Sequence, residues 1–280
     1  MTADIPRYVL NDGNLLPMVG FGTYPLRGAD GVAAIVSALE VGYRLLDTAV
    51  NYGNEEDVGT AVRRSGVARK DVQVTTKIAG RHHAEPQATK SVEDSLRRLR
   101  LDYVDLCLIH WPNPRVGKYV EAWRALVKLR ERGLVRSIGV SNFTQEHLHG
   151  VVDDTGVVPA VNQIEMHPYF PQDGMRSVHA DLGIRTESWS PLGKRSAPFD
   201  QQPVVRAAQA HGVTPAQAIL RWHLQLGALP LPKSATPERQ RQNLDVFGFE
   251  LDDHQVAAIT GLGRPDGRLF GGDPDTHEEM

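Results

Sequence analysis

"YVDLCLIH" at residues 103–110, "YVEAWRALVKLRERG" at 119–133 and "VRSIGVS" at 135–141 follow one another closely along the chain. The outer two are short apolar runs of strand length. The middle one spaces its apolar residues three and four apart, which places them on one face of a helix. It stops at Gly133, a common kind of helix terminus. Strand, helix, strand is therefore the local unit, and it extends in both directions. Upstream lie "MVGFGTY" (18–24), "YRLLDTA" (43–49) and "VQVTTK" (72–77), with the helical patterns "GVAAIVSALEVG" (31–42) and "SVEDSLRRLR" (91–100) among them. Downstream lie "AVNQIE" (160–165), "IRTESWS" (184–190) and "LPLPK" (229–233). Eight such runs in 280 residues predict an α/β fold, a closed parallel (β/α)8 or TIM barrel. "NDGN" (11–14) suits a tight turn, so an N-terminal β-hairpin over about Arg7 to Met18 is expected to close the barrel bottom.

The rival is an open doubly wound sheet, which wants G-x-G-x-x-G between an early strand and a helix. The nearest match, "GFGTYP" (20–25), has Pro25 at the third glycine and falls inside a strand and its exit. No linker or composition shift divides the chain, so residues 1–280 read as a single barrel domain. The longest irregular stretch is "SPLGKRSAPFDQQP" (190–203), and a loop of that length in a compact domain is usually functional or disordered.

A formal net charge of −3 leaves no basic footprint for nucleic acid. "MTADIPRYVL" has no basic segment leading into an apolar run, so no signal peptide is read there, and nothing approaches the ~20 apolar residues of a membrane span. The single cysteine, Cys107, rules out an intrachain disulfide framework. It sits in "LCLI" and reads as a buried core thiol. A cytoplasmic monomer with a small-molecule substrate is expected.

A barrel of this type carries its active site at the C-terminal ends of its strands. Those ends present Asp47, Lys77, His110, Ser141 and Asn142, Gln163, Trp189 and Ser190, and Lys233. Each alone has a plain structural reading: a turn residue, an exposed strand end, a satisfied core histidine. Three consecutive strands ending in an acid, a lysine and a histidine, with Tyr52 just beyond the acid, suggest a proton-transfer site. A phenol titrates near pH 10 in water, and a neighbouring ammonium is expected to lower that value. Asp47 would keep the lysine charged, which gives an apolar strand a reason to end on a carboxylate. His110 could donate a hydrogen bond to a substrate carbonyl.

"DTAVNYGNE" (47–55), "TTKI" (75–78), "LIHWP" (108–112), "IGVSNF" (138–143), "NQIEMHPY" (162–169) and "LPKSATPERQRQN" (231–243) resemble the successive signatures of the aldo-keto reductases, in particular a bacterial diketo-gluconate reductase-like group. The resemblance implies the barrel, an NADPH cofactor and reduction of aldehydes, ketones or dicarbonyls to alcohols. It makes Tyr52 the general acid, Lys77 and Asp47 its tuning pair, and His110 the carbonyl-orienting group. Ser141, Asn142 and Gln163 would hold the nicotinamide carboxamide, and Trp189 would stack on the ring. Lys233, Ser234 and Arg239 would grip the 2′-phosphate at a helix begun by Thr236 and Pro237, with Gln242 and Asn243 at the adenine. Gly22, Thr23, Ser190, Leu192, Leu231 and Ala235 would complete the cofactor's surroundings. Tyr24 and Trp111 would wall the substrate pocket.

Three departures from the family pattern stand out. Gln242 replaces a usual glutamate, the tail "FGGDPDTHEEM" (270–280) lacks the usual phenylalanine end, and the loop "WPNPRVGK" (111–118) is short. With short loops, an open pocket favouring small or polar carbonyls is expected. A short-chain dehydrogenase would need lysine four residues after a tyrosine, which none of the seven tyrosines has. A metal site would draw on His82 and His83 or His147 and His149, but no third ligand is recognisable, and these read as exposed helix histidines. A cofactor-binding barrel without catalysis is the non-enzyme alternative.

Overall fold

The computed structural model describes residues 5–280, so the first four residues of the expected domain lie outside the description. Strands β1 (Arg7–Val9) and β2 (Leu15–Pro17) pair antiparallel with Tyr8 opposite Leu16. Their turn is closed by Leu10 N–H donating to the Asn14 carbonyl at 2.8 Å. The alternating units follow: β3 (Phe21–Gly22), α1 (Gly28–Val41), β4 (Leu45–Asp47), α2 (Glu55–Arg64), β5 (Gln73–Ile78), α3 (Gln87–Leu99), β6 (Val104–Ile109) and α4 (Tyr119–Glu131). The second half runs β7 (Val135–Ser141), α5 (Gln145–Thr155), β8 (Val161–Glu165), α6 (Asp173–Leu182), β9 (Arg185–Trp189), α7 (Gln202–His211), α8 (Pro215–Gln225), β10 (Leu229–Pro230), α9 (Pro237–Leu244) and α10 (Asp253–Thr260).

Strands β3 to β10 lie side by side in sequence order, every neighbouring pair parallel. The ends of that sheet meet. Gly20 N–H donates to the Pro230 carbonyl and Gly22 N–H to the Pro232 carbonyl, each at 3.1 Å, closing the barrel. The eight apolar runs each supply one strand. The "SPLGKRSAPFDQQP" loop leads into α7, a helix additional to the simple repeat.

The helices face the sheet through the period their sequences carry. In α3, Ala88, Val92, Leu96 and Leu99 are buried, while Arg97 and Arg98 occupy its last turn. Inside the barrel, Leu45, Leu106, Leu108, Val161, Leu229 and Leu231 form a core of their own, and Leu10 and Leu16 from the hairpin join it. The hairpin thus plugs the bottom by burying two leucines, each worth roughly 1.5–3 kcal/mol on leaving water. Gly139 belongs to this interior: a Cβ there would stand 2.6 Å from the Val161 carbonyl oxygen and 2.8 Å from Leu108 Cδ2. Only hydrogen fits. Cys107 is buried, and burial pushes its thiol well above the usual range.

Of the four histidines read as exposed helix residues, only His149 is exposed. His147 is buried because its ring completes the capping box of α5, Nδ1 meeting Thr144 N–H at 3.3 Å. His83 is fully buried after β5 with neither ring nitrogen hydrogen-bonded among the described residues, and burial holds it neutral, down to about 4. His82 lies on a 3₁₀ turn, its Nδ1 3.1 Å from Ser91 Oγ. Among the described residues no group of three or more His, Cys, Asp or Glu side chains could hold a metal ion. No described helix is long and apolar enough to cross a membrane.

Candidate active site

Asp47, at the last position of β4, and Lys77, near the end of β5, meet below the barrel mouth. Lys77 Nζ donates to both Asp47 carboxylate oxygens, at 2.7 and 2.8 Å, to the Thr48 carbonyl at 2.9 Å, and to Tyr52 Oη at 3.3 Å. All three ammonium protons have acceptors, so a fully buried lysine is compatible with a stable core. Tyr52 is carried by a single 3₁₀ turn, Val50–Tyr52, which Gly53 ends in the left-handed region at φ +61°. Asn54 anchors that turn: its amide donates to the Thr23 and Leu26 carbonyls, and its oxygen accepts from Thr48 Oγ1 at 2.6 Å. The His110 ring stands edge-on to Tyr52 with centroids 5.7 Å apart.

Burial works against the Lys77 ammonium, but the charge of Asp47, together with Tyr52 and the hydrogen bonds to both, outweighs it and holds the lysine above its usual range. Tyr52 behaves otherwise than the sequence predicts. Burial raises the phenol, Lys77 lowers it less than that, and the result is a value pushed up to about 12. The main reason is the burial of the phenol, and Asp47 adds to it by offsetting part of the lysine's field. Tyr52 is therefore protonated throughout the neutral range.

Beneath them lies Glu187, which the sequence reading missed. Gln163, on β8, donates through Nε2 to Asp47 Oδ1 and to Glu187 Oε2, both at 2.9 Å. Burial first, then the charge of Asp47, raises the Glu187 carboxyl to about 8. An acid inside the apolar run "IRTESWS" was the available signal. Glu187 is protonated at neutral pH when folded and ionised when unfolded, so its contribution to stability falls as pH rises from about 4.5 to about 8. Glu187→Gln should flatten that decline, by about 1.4 kcal/mol per pH unit at most, in thermal melts recorded across the window. Parallel melting curves for both proteins would count against a neutral Glu187.

Ser141 Oγ donates to the Gln163 carbonyl at 2.8 Å. Asn142, at φ +61°, donates to the His110 carbonyl at 3.0 Å and accepts from Trp189 Nε1 at 2.8 Å. Ser141, Asn142, Gln163 and Trp189 are thus one bonded group. All line a cleft of about 1210 Å³ that also takes in Asp47, Tyr52 and His110, and every other expected cofactor or pocket residue except Thr23. Lys77 lies under the floor. Thr23 is fully buried and supports the site from behind, its hydroxyl donating to the Asp47 carbonyl at 2.8 Å.

At the far end of the cleft, Lys233 and Arg239 are exposed and form no ion pair among the described residues. Thr236 is the N-cap residue of α9 and Pro237 opens the helix, but the threonine side chain makes no capping bond. Ser234 Oγ accepts from Thr236 N–H at 3.0 Å instead. Gln240, not foreseen, ties this loop to α1 by donating to the Ser234 and Ala34 carbonyls, each at 2.9 Å.

The near end of the cleft is not the open mouth that short loops suggested. Residues 270–280 cross it. Phe270 stacks on Trp189 with centroids 6.1 Å apart, His277 lies 4.2 Å from the Trp111 ring, and Glu279 reaches His110. Tyr24 stands 5.2 Å from Tyr52, and both Tyr24 and Trp111 line the cleft. The tail supplies the cover that the 111–118 loop is too short to provide.

A buried Asp–Lys pair beside a tyrosine and a histidine, over a deep cleft at the C-terminal mouth of a parallel barrel, is the layout of a (β/α)8 enzyme. The chain belongs to the aldo/keto reductase family, whose profile matches residues 18–264. It is 58% identical over 277 residues to 2,5-diketo-D-gluconic acid reductase B of a Corynebacterium species, covering 99% of both chains. It is 46% identical to the methylglyoxal reductase DkgA of Yersinia pestis, covering 96% of this chain and 98% of that protein. The crystal structure of a Gox0644 mutant in complex with NADPH matches with a TM-score of 0.93 at 43% identity, over 98% of this chain and 99% of that one.

Proposed function

We propose that this protein reduces aldehydes, ketones or dicarbonyls to alcohols using NADPH, with Tyr52 as the proton donor. The observation that carries the reading is the Tyr52–Lys77–Asp47 contact at the cleft floor. The cleft fits the cofactor by its chemistry: two unpaired cations, Lys233 and Arg239, at one end suit a phosphate, and the amide-rich group of Asn142 and Gln163 at the other suits a carboxamide. NADPH, when bound, supplies the hydride. The chain supplies the proton: as the carbonyl oxygen gains charge, Tyr52 Oη transfers its proton to it, and Lys77 Nζ at 3.3 Å stabilises the phenolate left behind. His110 orients the carbonyl. The product is an alcohol, and solvent returns a proton to Tyr52.

Following cofactor absorbance with a panel from glyoxals to sugar ketones tests this directly. Cofactor binding without turnover of any carbonyl would favour the sensor alternative. The named relatives span a neutral dicarbonyl and a dicarbonyl acid, which bounds the substrate class. The reading takes residues 1–280 as one domain acting as a cytoplasmic monomer without nucleic-acid partners, and light scattering of the eluted protein checks the oligomeric state.

NADPH is preferred over NADH in this reading because Lys233, Ser234 and Arg239 surround one end of the cleft at the start of α9, where the helix dipole also favours an anion. Charge-assisted hydrogen bonds contribute ~1.5–3 kcal/mol each. Arg239→Ala should therefore raise the Kd for NADPH by roughly tenfold or more and that for NADH little, as read by fluorescence titration. Equal wild-type affinity for both cofactors would refute the assignment.

A further inference from the structure

The chain's last residues are held in the substrate end of the cleft by bonds that aim one side chain. Asn113 Nδ2 donates to the Glu279 carbonyl at 2.7 Å, Asn51 Nδ2 to the Met280 carbonyl at 3.2 Å, and Arg115 N–H to Glu278 Oε1 at 2.6 Å. Gly80 makes room for this: a Cβ there would stand 2.2 Å from the Glu279 carbonyl oxygen and 2.3 Å from Asn113 Nδ2. So anchored, Glu279 Oε1 lies 3.0 Å from His110 Nδ1. Its second oxygen, Oε2, is buried without a hydrogen-bond partner among the described residues. Burial raises this carboxyl, but the close approach of His110, with smaller contributions from Asn51 and Lys77, holds it below the usual carboxylate range, so the group is an anion at neutral pH. Lys77 offers little counter-charge, being paired with Asp47. Lys194, another cation of the cleft lining, stands over the Phe270 ring at 4.2 Å.

We propose that Glu279 is a specificity-determining residue: a fixed carboxylate at the carbonyl-orienting histidine that disfavours substrates with an anionic group beside the reacting carbonyl and favours neutral ones. The inference rests on the carbonyl-reductase reading and deepens it. A substrate carboxylate next to the carbonyl would be brought close to a like charge that is partly withdrawn from solvent, an arrangement that costs affinity. A neutral substrate pays no such penalty. Of the two substrate classes named among relatives, the neutral dicarbonyl fits this end of the cleft better.

Methylglyoxal and glyoxylate are close in size and differ in charge beside the aldehyde, so they form the test pair. Glu279→Gln keeps the shape and removes the charge. It should raise kcat/KM for glyoxylate relative to methylglyoxal at least tenfold, mainly through KM. A ratio within twofold of wild type, or an equal rise for both substrates, would overturn the proposal and leave the tail a merely steric cover. Calorimetric titration of the holoenzyme with oxamate, an unreactive anion, gives an independent reading that needs no turnover. Oxamate should bind at least tenfold more tightly to Glu279→Gln than to wild type, and equal affinities would overturn the proposal. Loss of the reductase reading would show differently, as absence of methylglyoxal reduction by the wild type, with the oxamate comparison still deciding the role of Glu279.

Discussion

Tyr52→Phe is expected to lower kcat for carbonyl reduction by ~10²–10⁴-fold, the usual worth of a positioned general acid, while NADPH affinity stays near wild type. The substitution removes one oxygen. Lys77 keeps its bonds to Asp47 and to the Thr48 carbonyl, so the buried ion pair survives. The phenol's value of about 12 sharpens the expectation, since the wild-type donor is loaded throughout the neutral range. Steady-state rates at saturating carbonyl, with cofactor binding measured in parallel, provide the check. A variant retaining a third of the wild-type rate would remove Tyr52 from the chemistry.

Lys77→Met is expected to lower the rate comparably and, unlike Tyr52→Phe, to destabilise the fold. Methionine fills much of the lysine's volume but leaves the Asp47 carboxylate buried with only the Gln163 amide as a side-chain partner. Removing one member of a buried pair costs about 3–5 kcal/mol, which for a chain of this size corresponds to a fall in Tm on the order of 10 °C. The sign with pH follows from the direction of the lysine's shift. A raised value in the folded state means the ammonium's contribution is complete at neutral pH and is lost only in strong alkali, so the difference between variant and wild type should persist from pH 6 to 9 or thereabouts. A melting temperature equal to wild type would mean that Asp47 finds another partner.

The two substitutions together separate chemistry from architecture. In the proposed reaction Tyr52 touches the carbonyl and little else, whereas Lys77 serves both. Glu187 adds a third case, a buried acid that reaches the reacting groups only through Gln163 and Asp47. Its substitution is read in the pH dependence of stability.

Local periodicity and strand-end chemistry determined a good deal of this protein from sequence alone. "YVDLCLIH" and "YVEAWRALVKLRERG" carry their elements in their own residues, because burial of a two-sided strand and of a one-sided helix leaves different spacings in the chain. The meeting of Asp47, Lys77 and His110 was equally legible, since parallel strands in sequence order bring consecutive ends to one rim. Tertiary structure decided the rest. Barrel closure rests on Gly20 and Gly22 finding the Pro230 and Pro232 carbonyls more than 200 residues away. The height of the Tyr52 pKa depends first on how deeply the phenol is buried and then on how far Asp47 offsets Lys77, a balance that no spacing encodes. His83 and His147 looked alike as solvated histidines, yet packing buried both. The C-terminal tail shows the limit most clearly. "THEEM" has no periodicity to read, and only contacts such as Asn113 to Glu279, separated by 166 positions, bring its carboxylate to His110. Where such a segment lands is set by the surface that the finished barrel offers it, so the charge of the substrate site emerges only once the barrel is closed.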